Sequence, residues 1–229
     1  MGPRSSTRGS SSSRPRPVGR RFFRRPTVEV ARDLLGARLR VDGPAGHVEA
    51  RLVETEAYLT DDPASHAFRG PTRRNRSMFG PPGTLYVFRI HQVVCANLVT
   101  RPGEAVLLRA GVVEGMPPGH ARGPGRLARA LGLTIADDGQ GAVTGPRVRV
   151  LARPGPRPLT DVGPRVGIRR AAERPLRFAI RDEPAVSRPR PLTSAFSTRT
   201  RAGSRSRQSR TRRRPASGGG RSGGRIAGR

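Results

Sequence analysis

Apolar residues in this chain come in short blocks whose spacing shifts between helical and alternating, with Gly- and Pro-rich stretches between them. After Pro26 and Thr27, the positions Val28, Val30, Ala31, Leu34 and Leu35 fit one face of a short helix that Gly36 stops. Residues 37–41 and 48–58 read as strands joined by a turn over 42–46. From 59 to 82 the periodicity vanishes and Pro, Gly, Asp, Asn and Arg take over, the composition of a long surface loop, where binding chemistry is often carried on a rigid scaffold. Residues 84–90 (TLYVFRI) and 93–100 (VVCANLVT) read as a hairpin or adjacent strands, and 105–113 as another strand after a Pro102–Gly103 turn. A Gly/Pro loop over 114–125 precedes a short helix at 125–131 ended by Gly132, and 147–151 and 176–180 supply late strands. Many short strands with few helices predict an α+β (mixed) fold: a single domain on a curved, mostly antiparallel sheet with short helices, not a doubly wound one.

Charge then divides the chain. All 45 basic residues are Arg, against 16 acids, for a net charge of +29. Every acid falls within 26–184, a stretch that is still basic, so a polyanionic partner is the leading inference; coding bias toward Arg is the bland explanation of the flanks. With 29 Gly, 23 Pro, 4% aromatics and no Trp, the chain cannot build a core along its whole length. The expected division is a disordered basic tail over 1–20, a domain over 21–187, and a low-complexity Arg/Ser/Gly-rich tail over 188–229. The single Cys95 has no partner for an internal disulfide, which points to a reducing compartment. No apolar run reaches the roughly 18 residues that would span a membrane. A monomer is expected in the cytoplasm of a bacterium, associated with the nucleoid, or in the nucleus of a eukaryote.

The candidate chemistry lies around the central loop. In 52–58 (LVETEAY) strict alternation puts Leu52, Glu54, Glu56 and Tyr58 on one strand face and Val53, Thr55 and Ala57 on the other, at the point where the strand empties into the loop. A carboxylate there can accept a proton from water and stabilise positive charge developing at a sugar's anomeric carbon; the plain alternative is a pair of surface acids neutralised by Arg. Arg69, Arg73, Arg74 and Arg76, with Asn75 among them, can hold phosphates without reading bases, or simply decorate a solvated turn. Tyr86, Phe88 and Ile90 share a strand face ended by His91: a buried core stripe, or a surface that stacks on a base and plugs the gap it leaves. Arg109 sits inside the apolar 105–110 (AVLLRA), where a buried charge demands a carboxylate or phosphate partner.

These blocks, in this order, resemble one family. Phe22 and Phe23, 26–36 (PTVEVARDLLG), 53–59 (VETEAYL), His66, 71–79 (PTRRNRSMF), 82–87 (PGTLYV), 95–97, 105–110, 123–127 (GPGRL), 164–168 and 174–178 are similar to the 3-methyladenine DNA glycosylases of the alkyladenine (N-methylpurine) type, over roughly 22–187. The resemblance implies a monofunctional base-excision enzyme that acts on double-stranded DNA containing damaged purines. Such an enzyme flips the lesion out and hydrolyses its N-glycosidic bond with water, leaving an abasic site and using no metal or organic cofactor. Implied substrates are 3-methyladenine and 7-methylguanine, with hypoxanthine a further candidate. Position by position, Glu56 resembles the general base and Arg109 the arginine that helps hold the water. Tyr58, His66 and Phe88 resemble pocket residues, Asn97 the asparagine that helps exclude guanine, and His91 the side chain that enters the duplex.

Two departures bear on this. The segment between His91 and Asn97 is one residue shorter than the family pattern, which moves either His91 and Phe88 or Asn97 to the opposite face unless a bulge or hairpin absorbs the loss. The 114–122 stretch is also shorter, removing packing material. Among other readings, a two-carboxylate sugar hydrolase is disfavoured because Glu54 and Glu56 point the same way. A metal hydrolase recruiting Asp61, Asp62, His66 and His120 lacks the usual ligand spacing. A nucleic-acid-binding protein with the chemistry lost is the serious competitor.

Overall fold

A computed structural model describes residues 15–189. In chain order its strands are β1 (Arg38–Gly43), β2 (Gly46–Tyr58), β3 (Leu85–Ile90), β4 (Val93–Arg101), β5 (Glu104–Val113), β6 (Val148–Leu151), β7 (Thr160–Gly163) and β8 (Arg177–Ile180); the helices are α1 (Arg20–Phe23), α2 (Thr27–Asp33) and α3 (Pro124–Ala130). All eight strands join one sheet with the path β3-β4-β5-β2-β1-β6. The 13-residue β2 is its spine: its first half pairs with β1, its second half pairs with β8, and β5 runs along the other edge, every pairing antiparallel. The curled antiparallel sheet with few short helices agrees with the fold class read from the sequence. β7, which carries no alternating pattern, does not figure in that reading; it extends β8 through Thr160↔Ile180 to Gly163↔Arg177.

The main core fills the space between one sheet face and the helices, with Phe23, Val30, Leu34 and Leu35 meeting Leu39, Leu52, Leu85, Leu98, Val106 and Leu108, and Leu127 and Leu131 closing the far side. Residues ahead of position 21 also pair with the sheet edge. Val18 donates to the Val150 carbonyl at 2.9 Å, Ala152 donates to the Arg16 carbonyl at 2.8 Å, and Pro17 bridges to Leu151, so these residues cover the edge of β6. The remainder of the two expected tails, 1–14 and 190–229, lies outside the described residues.

The ladder between β2 and β5 is irregular at one point. Between β2 and β5 the register passes from Leu52↔Gly111 to Glu54↔Ala110 and then to Thr55↔Leu108, so Val53 on one strand and Arg109 on the other have no opposite partner. A bulge re-aims side chains by inserting a residue into the pleat. The strict alternation expected for 52–58 therefore fails at one point. Leu52 joins the main core with Ala57, Thr55 donates to the Ala31 carbonyl of α2 at 2.8 Å, and Val53 packs in a separate cluster with Ala110, Ala179, Ala185 and Val186. Glu54 and Glu56 keep a common face, without Leu52.

Candidate active site

Both glutamates are fully buried, and Arg109 stands between them. Its Nε lies 3.2 Å from Glu54 Oε1 and its Nη1 3.2 Å from Glu56 Oε1, the partner that the apolar setting of Arg109 demanded. The two carboxylates differ in the company they keep. Glu54 accepts from Arg109, from Arg177 Nε at 2.6 Å, and from the Ser187 hydroxyl and backbone N–H at 2.9 and 2.7 Å. Glu56 accepts from the Val166 backbone N–H at 2.9 Å through Oε1 and from the Tyr58 hydroxyl at 3.0 Å through Oε2, which leaves Oε2 with spare acceptor capacity. Burial pushes the Glu56 carboxyl above its ordinary value, outweighing the pull of Arg109, Val166 N–H and Tyr58, while Glu54 adds to the rise.

Above this cluster lies a cavity of about 330 Å³, within the range of small-molecule sites, roughly 300–1,000 Å³. Its walls include Tyr58, His66, Tyr86, Phe88, Ile90, Asn97 and Arg109, so seven of the residues singled out in the sequence meet around one space. Glu56 is not on the wall; it is held behind Tyr58, Arg109 and Val166, all of which are. Arg165, itself buried against Asp62, lies over the Tyr58 ring at 4.6 Å and fixes its plane. His66 meets the Phe88 ring edge-on at 4.6 Å, and its Nδ1 shares a 2.9 Å hydrogen bond with the Tyr86 hydroxyl. Burial lowers the His66 pKa, which keeps the imidazole neutral at neutral pH.

The short segment between His91 and Asn97 is accommodated by a hairpin. Ile90 pairs with Val93, leaving His91 and Gln92 as a two-residue turn. With the turn at the tip, Tyr86 and Asn97, which pair across the hairpin, and Phe88 and Cys95, which do likewise, all line the cavity. His91 itself stands exposed at the tip with φ 51°, flanked by Ile90 and Val93, which are 48% and 41% exposed. The N-terminus of α3 supports this hairpin closely: a Cβ at Gly125 would fall 2.0 Å from Val93 Cγ1.

The basic loop separates into parts. Asn75 is buried and organises the loop, donating to the His66 and Gly70 carbonyls at 2.8 and 3.1 Å and accepting from Thr72; it is not free to hold phosphate. Arg69 and Arg74 line an open groove of about 630 Å³ beside the cavity, together with Phe68, Ile90, Ile135 and two arginines the sequence reading did not single out, Arg89 and Arg170. Arg76 lines a different groove with Arg20, and Arg73 is exposed on neither. The acids considered as metal ligands are committed elsewhere, Asp62 to Arg165 and Asp61 to Arg174.

The model of the methylpurine-DNA glycosylase family matches residues 21–184. The chain belongs to that family. Relatives bearing the name "Putative 3-methyladenine DNA glycosylase" include one from Rhizobium johnstonii, 43% identical over 183 residues that cover 74% of this chain and 89% of the relative. Another from Agrobacterium fabrum is 43% identical, covering 75% and 92% of the two chains. One from Methanoculleus marisnigri is 44% identical, covering 73% and 96%. The enzyme is accordingly a DNA-repair glycosylase with DNA as its substrate. Among the described residues no helix is long and apolar enough to cross a membrane.

Three residues of the candidate site were not singled out from the sequence. Val166 supplies a backbone N–H, which no side-chain pattern reveals. Arg177, inside the apolar 176–180, gave the same signal as Arg109, a charge in a buried strand, and could have been found by it. Ser187 carries no local signal at all.

Proposed function

We propose that the enzyme hydrolyses the N-glycosidic bond of alkylated purines, such as 3-methyladenine and 7-methylguanine, in double-stranded DNA, acting as a monomer on a nucleotide rotated into the 330 Å³ cavity. The observation that carries this is Glu56: a carboxylate raised in pKa by burial, directly behind a cavity walled by aromatic rings, with an arginine shared between it and the space in front.

In this reading the rings of Tyr58 and Phe88 hold the extruded base, and neutral His66, its Nδ1 engaged with Tyr86, is left with Nε2 to address the base edge. Asn97, with its amide nitrogen fixed to the Tyr86 carbonyl at 3.1 Å, shapes the floor against an exocyclic amine. Water held between Arg109 and Glu56 Oε2 attacks C1′ and its proton passes to Glu56. The C1′–N bond breaks, and its electron pair goes to the purine, which an alkyl group has already made cationic and which therefore leaves neutral. A base whose pKa lies toward working pH suits this transfer. His91, Ile90 and Val93 at the hairpin tip occupy the space in the stack from which the nucleotide came, and Arg69, Arg74, Arg89 and Arg170 hold phosphates along the groove.

The test is release of free 3-methyladenine from alkylated duplex DNA by the enzyme and by Glu56→Gln. General-base removal is expected to slow single-turnover release by about 10²–10⁴-fold with duplex affinity retained. Binding without release by the unaltered protein would mean a DNA-binding scaffold instead, and undiminished release by Glu56→Gln would remove Glu56 from the mechanism.

A further inference from the structure

The segment after β8 returns across the sheet at the bulge. Ala185 and Val186 pack on Val53, unpaired at the bulge, and on Ala110, next to the unpaired Arg109, and this places Ser187 against the buried charges. The backbone of the segment is tied independently of its side chain: Ser187 N–H donates to Glu54 Oε2 at 2.7 Å, Arg177 Nη2 donates to the Ser187 carbonyl at 2.9 Å, and Arg177 Nη1 donates to the Pro189 carbonyl at 3.0 Å. The hydroxyl has a separate task. It accepts from Arg109 Nη2 at 3.1 Å and donates to Glu54 Oε1 at 2.9 Å.

Arg109 thus has each of its three nitrogens assigned: Nε to Glu54, Nη1 to Glu56 and Nη2 to Ser187. A guanidinium is planar, so fixing the two outer contacts fixes where the third points. Arg109 arises from a bulge, where no ladder partner opposite it helps set its direction. The hydroxyl of Ser187 supplies that constraint from the far side.

We propose that Ser187 is a positioning residue for glycosidic hydrolysis, its hydroxyl holding the Arg109 guanidinium in the orientation that pairs it with Glu56 and presents it to the cavity. This rests on the reading of Glu56 as the base. Ser187 touches neither the cavity nor Glu56; it acts through Arg109. The groups acting on the Glu56 carboxylate are Glu54 and Tyr58 from its own strand, Arg109 from β5 and the Val166 N–H from the loop before β8; Arg177 stands opposite Glu56 in register but pairs with Glu54, and Arg165 lies over the Tyr58 ring. Of these, Arg109 is the favourable charge whose placement Ser187 governs.

The experiment uses the full chain, with Ser187→Ala, Ser187→Thr and Glu56→Gln compared by single-turnover release of 3-methyladenine as a function of pH, and by affinity for an undamaged duplex. Ser187→Ala leaves the backbone ties in place, and is expected to slow release by roughly 10- to 100-fold, the scale for a catalytic group misplaced by up to about an ångström, with affinity changed less than about 3-fold. The acid limb of its profile is expected to move to higher pH, because an arginine held less closely does less to favour ionised Glu56. Ser187→Thr keeps a hydroxyl and is expected to restore both. Should the alanine variant not fold, Ser187→Cys, similar in size and a weak donor, is read in the same way. A wild-type rate and an unmoved limb in Ser187→Ala, with Glu56→Gln inactive beside it, would overturn the proposal alone; an active Glu56→Gln would overturn the reading beneath it as well.

Discussion

Glu54 is expected to carry stability where Glu56 carries chemistry, and Glu54→Gln separates the two. The buried cluster holds two carboxylates, Glu54 and Glu56, against two guanidiniums, Arg109 and Arg177, and so is neutral as a whole. Glutamine fits the same space and offers a carbonyl at the Oε1 position, where Arg109, Arg177 and the Ser187 hydroxyl all donate. It then faces the Ser187 N–H with an NH₂ instead of Oε2, so one buried donor meets another. Two guanidiniums also lose half of their counter-charge in a place water does not reach. Breaking a buried pair in this way costs about 3–5 kcal/mol. At about 2–4 °C per kcal/mol for a domain of this size, the melting temperature should fall by roughly 6–20 °C. Urea unfolding with a fixed slope, alongside thermal melting, measures both quantities. A Glu54→Gln protein that melts within about 2 °C of the parent would show that the cluster is not the anchor described here, because stripping a buried guanidinium pair of its shared carboxylate leaves no room for so small a change.

Three further outcomes follow from the same geometry. Because burial raises the Glu56 pKa and the base must be ionised, single-turnover release should be full at pH above that raised value and fall as pH drops through it, with the acid limb above the ordinary carboxylate range; His66 faces the same cavity, so the profile is repeated in His66→Asn, and a limb that disappears with the imidazole would assign it to His66. Replacing Arg69, Arg74, Arg89 and Arg170 singly by Ala should lower the slope of log affinity against log salt by about 0.9 for each phosphate left without its arginine, and slopes unchanged in all four would move the DNA off this groove. His91→Gly should hold or raise stability by up to about 1–2 kcal/mol, since φ 51° is costly for a residue with a side chain, while slowing extrusion of the damaged base; a variant as fast as the parent would deny the hairpin tip any part in that step.

How much of this was legible in the sequence depended on whether the signal was local. The Gly36 stop after α2, the hairpin of β3 and β4, and the Pro102–Gly103 turn are short-range patterns, and each appears where the pattern puts it. Gly103 adopts φ 80° with Thr60 and Phe79 close above it, so a side chain there would meet both. The common face of Tyr86 and Phe88 was equally visible, since strand alternation is unbroken there. The bulge was not: nothing in LVETEAY or AVLLRA marks Val53 and Arg109 as unpaired, because a bulge belongs to two strands 55 residues apart at the Arg109–Glu54 contact. The assignment of Leu52 to the glutamates' face failed for that reason. The role of Asn75 was hidden in the same way, its amide being spent on carbonyls of its own loop and not on a ligand.

Two acids so near each other nevertheless keep different company. Glu54 and Glu56 share a face and share Arg109, so neither sequence position nor burial distinguishes them. What distinguishes them is the chain that returns on each side. The 185–189 segment brings Ser187 and the partners of Arg177 to Glu54, and four donors occupy both of its oxygens. The 164–168 segment brings Val166 to Glu56 and stops, leaving capacity on Oε2 beneath the cavity. Each carboxylate has an Oε2 with a single donor, but that of Glu56 is bound to Tyr58 on the cavity wall, whereas that of Glu54 is bound to the buried Ser187 N–H away from it. The proposed division between anchor and base is therefore made outside β2, by the two segments that flank β8, and it would be lost if either were cut away, although neither contains a carboxylate of the pair.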